Sequence, residues 1–303
     1  MSENIEKFDW WPSDDEELFE HNYRNFPEQL QLYKDRPIEY LLNRRHFRHS
    51  VPLVENKKLK VDIFLGCSHT AGTGHYAENI WIQGVSNLTG NAQVNLGSPG
   101  RGVAKSYFNL LEHLHLWDIQ NVFHYQNIYS RYDYITAQPE WSDCMWNPVF
   151  DPGEDIHRVP WNEKYRNLTM TSIEYMRYHH NLHVNAIAGV CKKENIRYYH
   201  LNKVPYNKWN SDLLGITFKP SKLPGHINIR AAESMPAPKL MKHVTLARDV
   251  AHFTVQTQRI IGKLFLNNIE KHKDGYIEKC LRHEPNGIEG LDMFNTNTER
   301  RRR

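Results

Sequence analysis

The stretch Val61-Asp62-Ile63-Phe64-Leu65-Gly66-Cys67-Ser68-His69-Thr70-Ala71-Gly72-Thr73-Gly74 runs from an apolar, β-branched and aromatic segment straight into a serine and a glycine-rich turn. A short apolar run bounded by glycine reads as a strand covered on both faces, the kind found in parallel sheets. Gly66, Gly72 and Gly74 allow the tight backbone turn that must follow such a strand. Ser68 is thereby expected at the carboxyl end of the strand, where open α/β sheets hold their ligands.

Outward from this strand the same grammar repeats. Ala77 to Leu88 reads as a helix with Ile80, Trp81 and Val85 at apolar spacing, and Ala92 to Leu96 as a second strand. Gly102 to His115 reads as a helix carrying Val103, Tyr107, Leu110, Leu111 and Leu114, and Asn121 to Tyr125 as a third strand. Leu168 to Glu194 is the longest helical pattern, Ile196 to Leu201 a fourth strand, and about Thr254 to Ile269 a closing helix. Strands alternating with helices predict an α/β fold, a parallel sheet sandwiched between two helical layers.

Three parts are expected: an N-terminal extension at 1–58 packed on the core, an α/β domain at 59–272, and a C-terminal segment at 273–303. The domain carries two long loops without sustained periodicity, at 128–167 and 202–242, and loops of that length are often functional. In the extension, Trp10-Trp11-Pro12-Ser13 precedes Asp14-Asp15-Glu16-Glu17, so Ser13 is a candidate cap for a short helix with acids in its first turn. The paired tryptophans are read as a clamp holding the arm to the domain, since aromatic side chains supply much packing area.

With 303 residues, 40% of them hydrophobic, the chain has ample material for a core. Its 38 basic and 35 acidic residues nearly balance at +3, which argues against an extended nucleic-acid groove. Arg300 to Arg303 form the one strongly basic run, read as a solvated end, with phosphate or nucleic-acid binding as the competing use. Cys67, Cys144, Cys191 and Cys280 are scattered and form no C-x-x-C pair, which points to a reducing compartment. The amino terminus lacks the basic start and apolar stretch of a signal peptide and no segment has membrane-spanning length, so a cytoplasmic protein without membrane association is expected.

Far downstream, Ala247-Arg248-Asp249-Val250-Ala251-His252 places an acid and a base within one turn of each other. A serine hydroxyl is a weak nucleophile until a base takes its proton, and a tetrahedral oxyanion is costly until donors surround it. Ser68, His252 as general base and Asp249 as the group that fixes the imidazole tautomer make a constellation suited to acyl transfer. The structural alternatives are that Ser68 caps the helix after its strand and that Asp249 and His252 cap the last helix. Cys67 is a rival nucleophile only in position, because neighbours along an extended chain point to opposite faces and this one is expected to be buried.

Gly66-Cys67-Ser68-His69-Thr70 together with Asp249-Val250-Ala251-His252 resembles the SGNH (GDSL-type) hydrolases. The resemblance spans about Val61 to Ile269 and implies a three-layer α/β/α sandwich of flavodoxin-like kind. It implies Ser68 as nucleophile, with Cys67 where the family usually has Asp. The second block falls on Gly97 in Val94-Asn95-Leu96-Gly97-Ser98-Pro99-Gly100, implying an oxyanion donor beside the Ser68 amide. The third block keeps only its asparagine in Tyr125-Gln126-Asn127-Ile128, so Asn127 is the implied third donor, with Gln126 or Arg131 as substitutes.

The reaction implied is hydrolysis of an ester, such as a sugar O-acetyl group or a small acyl ester, through an acyl-enzyme on Ser68 and without a metal or organic cofactor. His69 and Arg131 are candidate substrate contacts, and His75 lies close enough in sequence to join them. His179 and His183, four apart on one helical face, have metal-ligand spacing, but no third ligand is evident and a solvated face is the preferred reading. The competing function is a glycan-binding or structural module on the same scaffold with an impaired site, in which Trp141, Trp146 and Trp161 stack on sugar rings.

Overall fold

The computed structural model describes residues 5–10, 14–43, 47–48, 55–125, 131–133, 144–146, 173–201, 245–250, 252 and 254–274. The loop positions Gln126, Asn127, Trp141 and Trp161, the cap candidate Ser13, Trp11, Cys280 and the tail Arg300 to Arg303 lie outside these residues, as does nearly all of both long loops.

Among the described residues four strands form one parallel sheet: β3 (Asn56–Leu65), β4 (Ala92–Asn95), β5 (Trp117–Tyr125) and β8 (Arg197–Leu201), in the order β4-β3-β5-β8. The first strand in sequence therefore lies between the second and the third, which is the doubly wound order of flavodoxin-like sheets. Side chains alternate across the sheet. Ile63, Leu65, Val94 and Val122 face one helical layer, α5 (Val103–His113) and α6 (Ile173–Lys193), which contributes Leu110, Val184 and Ile187. Phe64, Phe123, Tyr125 and Tyr199 face the other, α4 (Trp81–Thr89) and α7 (Val255–Asp274), which contributes Trp81, Ile261 and Phe265. The fold is thus a three-layer α/β sandwich, as the alternation of strand and helix patterns predicts.

The predicted elements are all present, with shifted ends. β3 begins at Asn56 rather than Val61, because Lys57 and Lys58 extend the strand into solvent where no apolar signal marks it. The expected helix over 77–88 is divided at Ile80, whose extended backbone separates a turn of 3₁₀ helix (Ala77–Asn79) from α4. Two short antiparallel strands, β6 (Arg131–Asp133) and β7 (Cys144–Trp146), pair within the first long loop.

The N-terminal extension is a built structure of its own. β1 (Glu6–Phe8) pairs antiparallel with β2 (Tyr40–Leu42), and between them stand α1 (Glu16–Asn25) and α2 (Pro27–Lys34). The cap of α1 is Asp15, whose carboxylate accepts the Leu18 N–H at 2.7 Å, with Glu16 and Glu17 in the first turn. Phe19, Leu30, Tyr33, Ile38, Tyr40 and Leu42 form an apolar cluster that also takes in Tyr76 and Leu246 from the α/β domain. The arm is therefore packed on the domain through a shared core. No helix among the described residues is long and apolar enough to cross a membrane.

One polar cluster interrupts the α5/α6 face. His124 and His200 are register partners on β5 and β8 with ring centroids 5.1 Å apart, and the buried His180 of α6 is near enough to interact electrostatically with both. The His179 and His183 rings are tilted to each other with centroids 4.4 Å apart, and His183 Nδ1 is bonded to the His179 carbonyl at 2.8 Å. Both are partly buried, so the helix face expected to be solvated leans against the domain. Among the described residues, no three groups are arranged to hold a metal ion.

Burial, reinforced by the neighbouring rings, pushes His180 down to about 3 and holds His200 well below the ordinary value of 6.5. Both rings are thus neutral in the folded state while an unfolded histidine takes up a proton near pH 6.5. Their contribution is complete above that pH and declines as pH falls through it, by about 1.4 kcal/mol per unit for each ring. The urea midpoint is expected to drop between pH 7 and pH 5, and His180→Leu to flatten that drop. An unchanged midpoint in the wild type would mean that the folded cluster accepts protons freely.

Candidate active site

The carboxyl ends of β3 and β4 set the first half of the site. Gly66 follows β3 with φ +151°, and Cys67 leads into a single helical turn, α3 (Ser68–Ala71). Ser68 is the first residue inside this turn, and no side chain caps it, so the serine is not there to cap the helix. Its hydroxyl has no hydrogen-bond partner among the described residues, and its amide has no acceptor there either. Cys67 is fully buried, as expected, but it lies past the end of β3 and Ser68 beside it is buried too, so strand alternation is not the reason.

Gly97 sits where the end of β4 crosses α3. A Cβ at this position would lie 2.5 Å from the Ala71 nitrogen and 2.8 Å from the Thr70 carbonyl carbon, so only glycine lets the two segments approach. Ser98 N–H donates to the Gly66 carbonyl at 2.9 Å, and Asn95 Nδ2 donates to the Thr70 carbonyl at 3.1 Å. The Gly97 amide donates to Asn95 Oδ1 at 2.9 Å. Engagement of an oxyanion by this amide thus requires it to share or leave Asn95. Behind the turn, Asn109 of α5 bonds the Leu96 carbonyl and the Ser98 hydroxyl.

The second half is the turn Ala247 to Val250 and the residues after it. Asp249 Oδ1 accepts the His252 N–H at 3.1 Å, and Asp249 Oδ2 is hydrogen bonded to His252 Nδ1. An ionised carboxylate only accepts, so this bond assigns the hydrogen to Nδ1 and leaves Nε2 as the basic nitrogen. The Asp249 side chain is fully buried, whereas 13% of the His252 side chain is exposed. Capping of α7 falls to another residue: the Thr254 hydroxyl accepts the Thr257 N–H at 3.1 Å. Asp249 and His252 are thus free of the capping role that their position also suggested.

The two halves meet through His69 and Gly74. The His69 ring, next to the serine, stands edge-on to His252 with centroids 5.1 Å apart, and edge-on to Tyr125 at 6.2 Å. Gly74 turns with φ +74°, and a Cβ there would lie 3.0 Å from Asp249 Oδ1. The Gly74 carbonyl accepts the Arg248 N–H at 2.9 Å. Among the described residues no hydrogen bond joins the Ser68 hydroxyl to His252.

Of the residues expected from sequence, Ser68, His69, Gly97, Asp249 and His252 converge on this region. His75 is fully buried. Arg131 begins β6, but its side chain and the whole of Asn127 lie outside the described residues.

Four residues near the site escaped sequence reasoning: Asn95, Asp14, Tyr40 and Arg248. Arg248 is 1% exposed and clamps Asp14, with Nε at 2.8 Å from Oδ1 and Nη2 at 2.7 Å from Oδ2. Its guanidinium also donates to the Asp9 carbonyl at 2.8 Å and lies 3.9 Å from the Trp10 ring centroid. Trp10 therefore works as a clamp on the arm. Because Arg248 is saturated by Asp14, it does not compete with His252 for the adjacent Asp249. The one local signal was an arginine directly before the acid, and nothing near Asp14 marks its partner.

No protein-family model matches the chain, and no curated protein matches it.

Proposed function

We propose that the chain is a serine hydrolase of SGNH type that cleaves an ester, with Ser68 as nucleophile, His252 as general base and Asp249 as the group that orients it. The supporting observation is the buried Asp249 carboxylate bonded to Nδ1 of a partly exposed His252, whose ring packs against the residue following Ser68. In this reading Nε2 takes the Ser68 proton as the hydroxyl attacks the ester carbonyl. The protonated imidazole then delivers it to the leaving alcohol, and water attacks the acyl-enzyme by the reverse route. The Ser68 amide, which has no acceptor among the described residues, is the first oxyanion donor, with Gly97 and Asn127 the others.

The bond from the Gly97 amide to Asn95 favours a second reading, a scaffold that binds a glycan without turning it over. A short-chain chromogenic ester and a serine-directed phosphonate separate the two. Wild-type protein is expected to hydrolyse the ester and to be labelled once, and Ser68→Ala to lose both properties. Labelling that survives in the variant would rule out Ser68 as nucleophile, and wild-type protein inert to both reagents would favour the binding module.

A further inference from the structure

We infer that the N-terminal arm belongs to the machinery of the proposed hydrolase, with Tyr40 and Asp14 as positioning residues that hold the Asp249–His252 turn against the Ser68 turn. This inference rests on the proposed triad. Its basis is a closed ring of hydrogen bonds. The Tyr40 hydroxyl donates to Asp14 and accepts the Gly74 N–H at 2.9 Å. Asp14 receives the Arg248 side chain, and the Arg248 N–H returns to the Gly74 carbonyl at 2.9 Å. Gly74 ends the turn that begins with Ser68, and Arg248 immediately precedes Asp249, so one arm hydroxyl ties together the two segments that must meet.

The arm grips each segment at further points. On the acid side, the Tyr33 hydroxyl donates to the Leu246 carbonyl at 3.0 Å. On the serine side, the buried Arg48 donates to the carbonyls of Gly72 and, at 2.7 Å, His75, with its guanidinium 4.3 Å from the Tyr40 ring centroid.

The turn has reason to need such holding. Val250, between the acid and the base, has φ +58°, a left-handed conformation that a β-branched residue adopts only under constraint. Released from the arm, the turn would relax towards negative φ and carry Asp249 away from its present place beside Gly74. The arm therefore does more than add core: it maintains a conformation that the local sequence disfavours.

Tyr40→Phe tests this, since it removes one oxygen and leaves the ring against Arg48. The expected result is a roughly 10- to 100-fold fall in kcat and in the phosphonate labelling rate at Ser68, with KM nearly unchanged. Val250→Asn supplies the control, because asparagine tolerates the left-handed region. In that background the loss caused by Tyr40→Phe is expected to shrink to under about threefold, the unstrained turn no longer depending on the arm. A wild-type labelling rate in Tyr40→Phe, or equal losses in both backgrounds, would overturn the inference.

A readout independent of turnover keeps the two ideas apart. The downfield proton resonance of His252 Nδ1–H, assigned by its absence in His252→Gln, is expected to be sharp in the wild type and broadened or lost in Tyr40→Phe. That result without any labelling of Ser68 would remove the hydrolase reading and leave the positioning intact. Labelling of wild-type Ser68 with the resonance unaffected by Tyr40→Phe would do the reverse.

Discussion

Asp249→Asn is expected to cut ester turnover by about 10⁴-fold while leaving the fold in place. The substitution changes almost no volume, and the asparagine carbonyl can still accept the His252 N–H that Asp249 Oδ1 now accepts at 3.1 Å. What changes is the second contact. An amide nitrogen in the place of Oδ2 donates to Nδ1, which forces the imidazole hydrogen onto Nε2 and leaves no lone pair there to take the Ser68 proton. The measurement is kcat against a short-chain ester across pH, alongside thermal unfolding of the same preparation. A loss under tenfold with an unchanged melting point would show that Asp249 does not orient the base.

Arg248→Met carries the largest expected cost in stability. Asp14 has no exposed surface, and its charge is met by the guanidinium and the Tyr40 hydroxyl. Removing one partner of a buried ion pair costs about 3–5 kcal/mol, because the other charge is left without compensation. In a domain of this size that corresponds to a melting temperature lower by roughly 10 °C. Replacing both partners, Asp14→Leu with Arg248→Met, is expected to recover most of the loss, since an apolar pair needs no counter-charge. A single variant as stable as the wild type would mean that water reaches Asp14. The double variant should still be slow on ester, because the ring through Gly74 is broken in it.

The strands and helices were legible where one face meets the core and the other meets something different. Val61 to Leu65 announces itself because β-branched and aromatic residues fill both faces of a central strand, and the helices around it show their apolar stripe. Asn56 to Lys60 does not, since the same strand has left the helical layers and its lysines look like loop. β1 and β2 are three residues each and pair across the whole of α1 and α2, so no periodicity is long enough to show. Ser13 was the cap read from sequence, and the geometry puts that role two residues on, at Asp15.

The site divides in the same way. Ser68, Gly97, Asp249 and His252 stand at ends of elements, where a strand stops or a helix is about to start, and position there carries a chemical meaning. Asp14 looked like one more acid in the run Asp14-Asp15-Glu16-Glu17, three of which do serve the start of α1. Its burial against Arg248 depends on a pairing across 234 positions, and nothing local encodes that. Asn95 was hidden for a different reason: with Gln93 in the same short strand, a second amide reads as tolerated polarity, whereas here it joins the Gly97 loop to the Ser68 turn.

That long-range pairing sets an order of events on the ribosome. When Asp14 and Tyr40 emerge, their partner Arg248 has yet to be translated, and so has α7, which closes one face of the sheet. The nascent chain must keep an unneutralised carboxylate and a bare strip of phenylalanine and tyrosine in water until the last part of the domain arrives, a situation typical of slow, high-contact-order folding. A polypeptide interrupted before residue 248 would hold Ser68 and its glycines yet lack Arg248, Asp249 and His252.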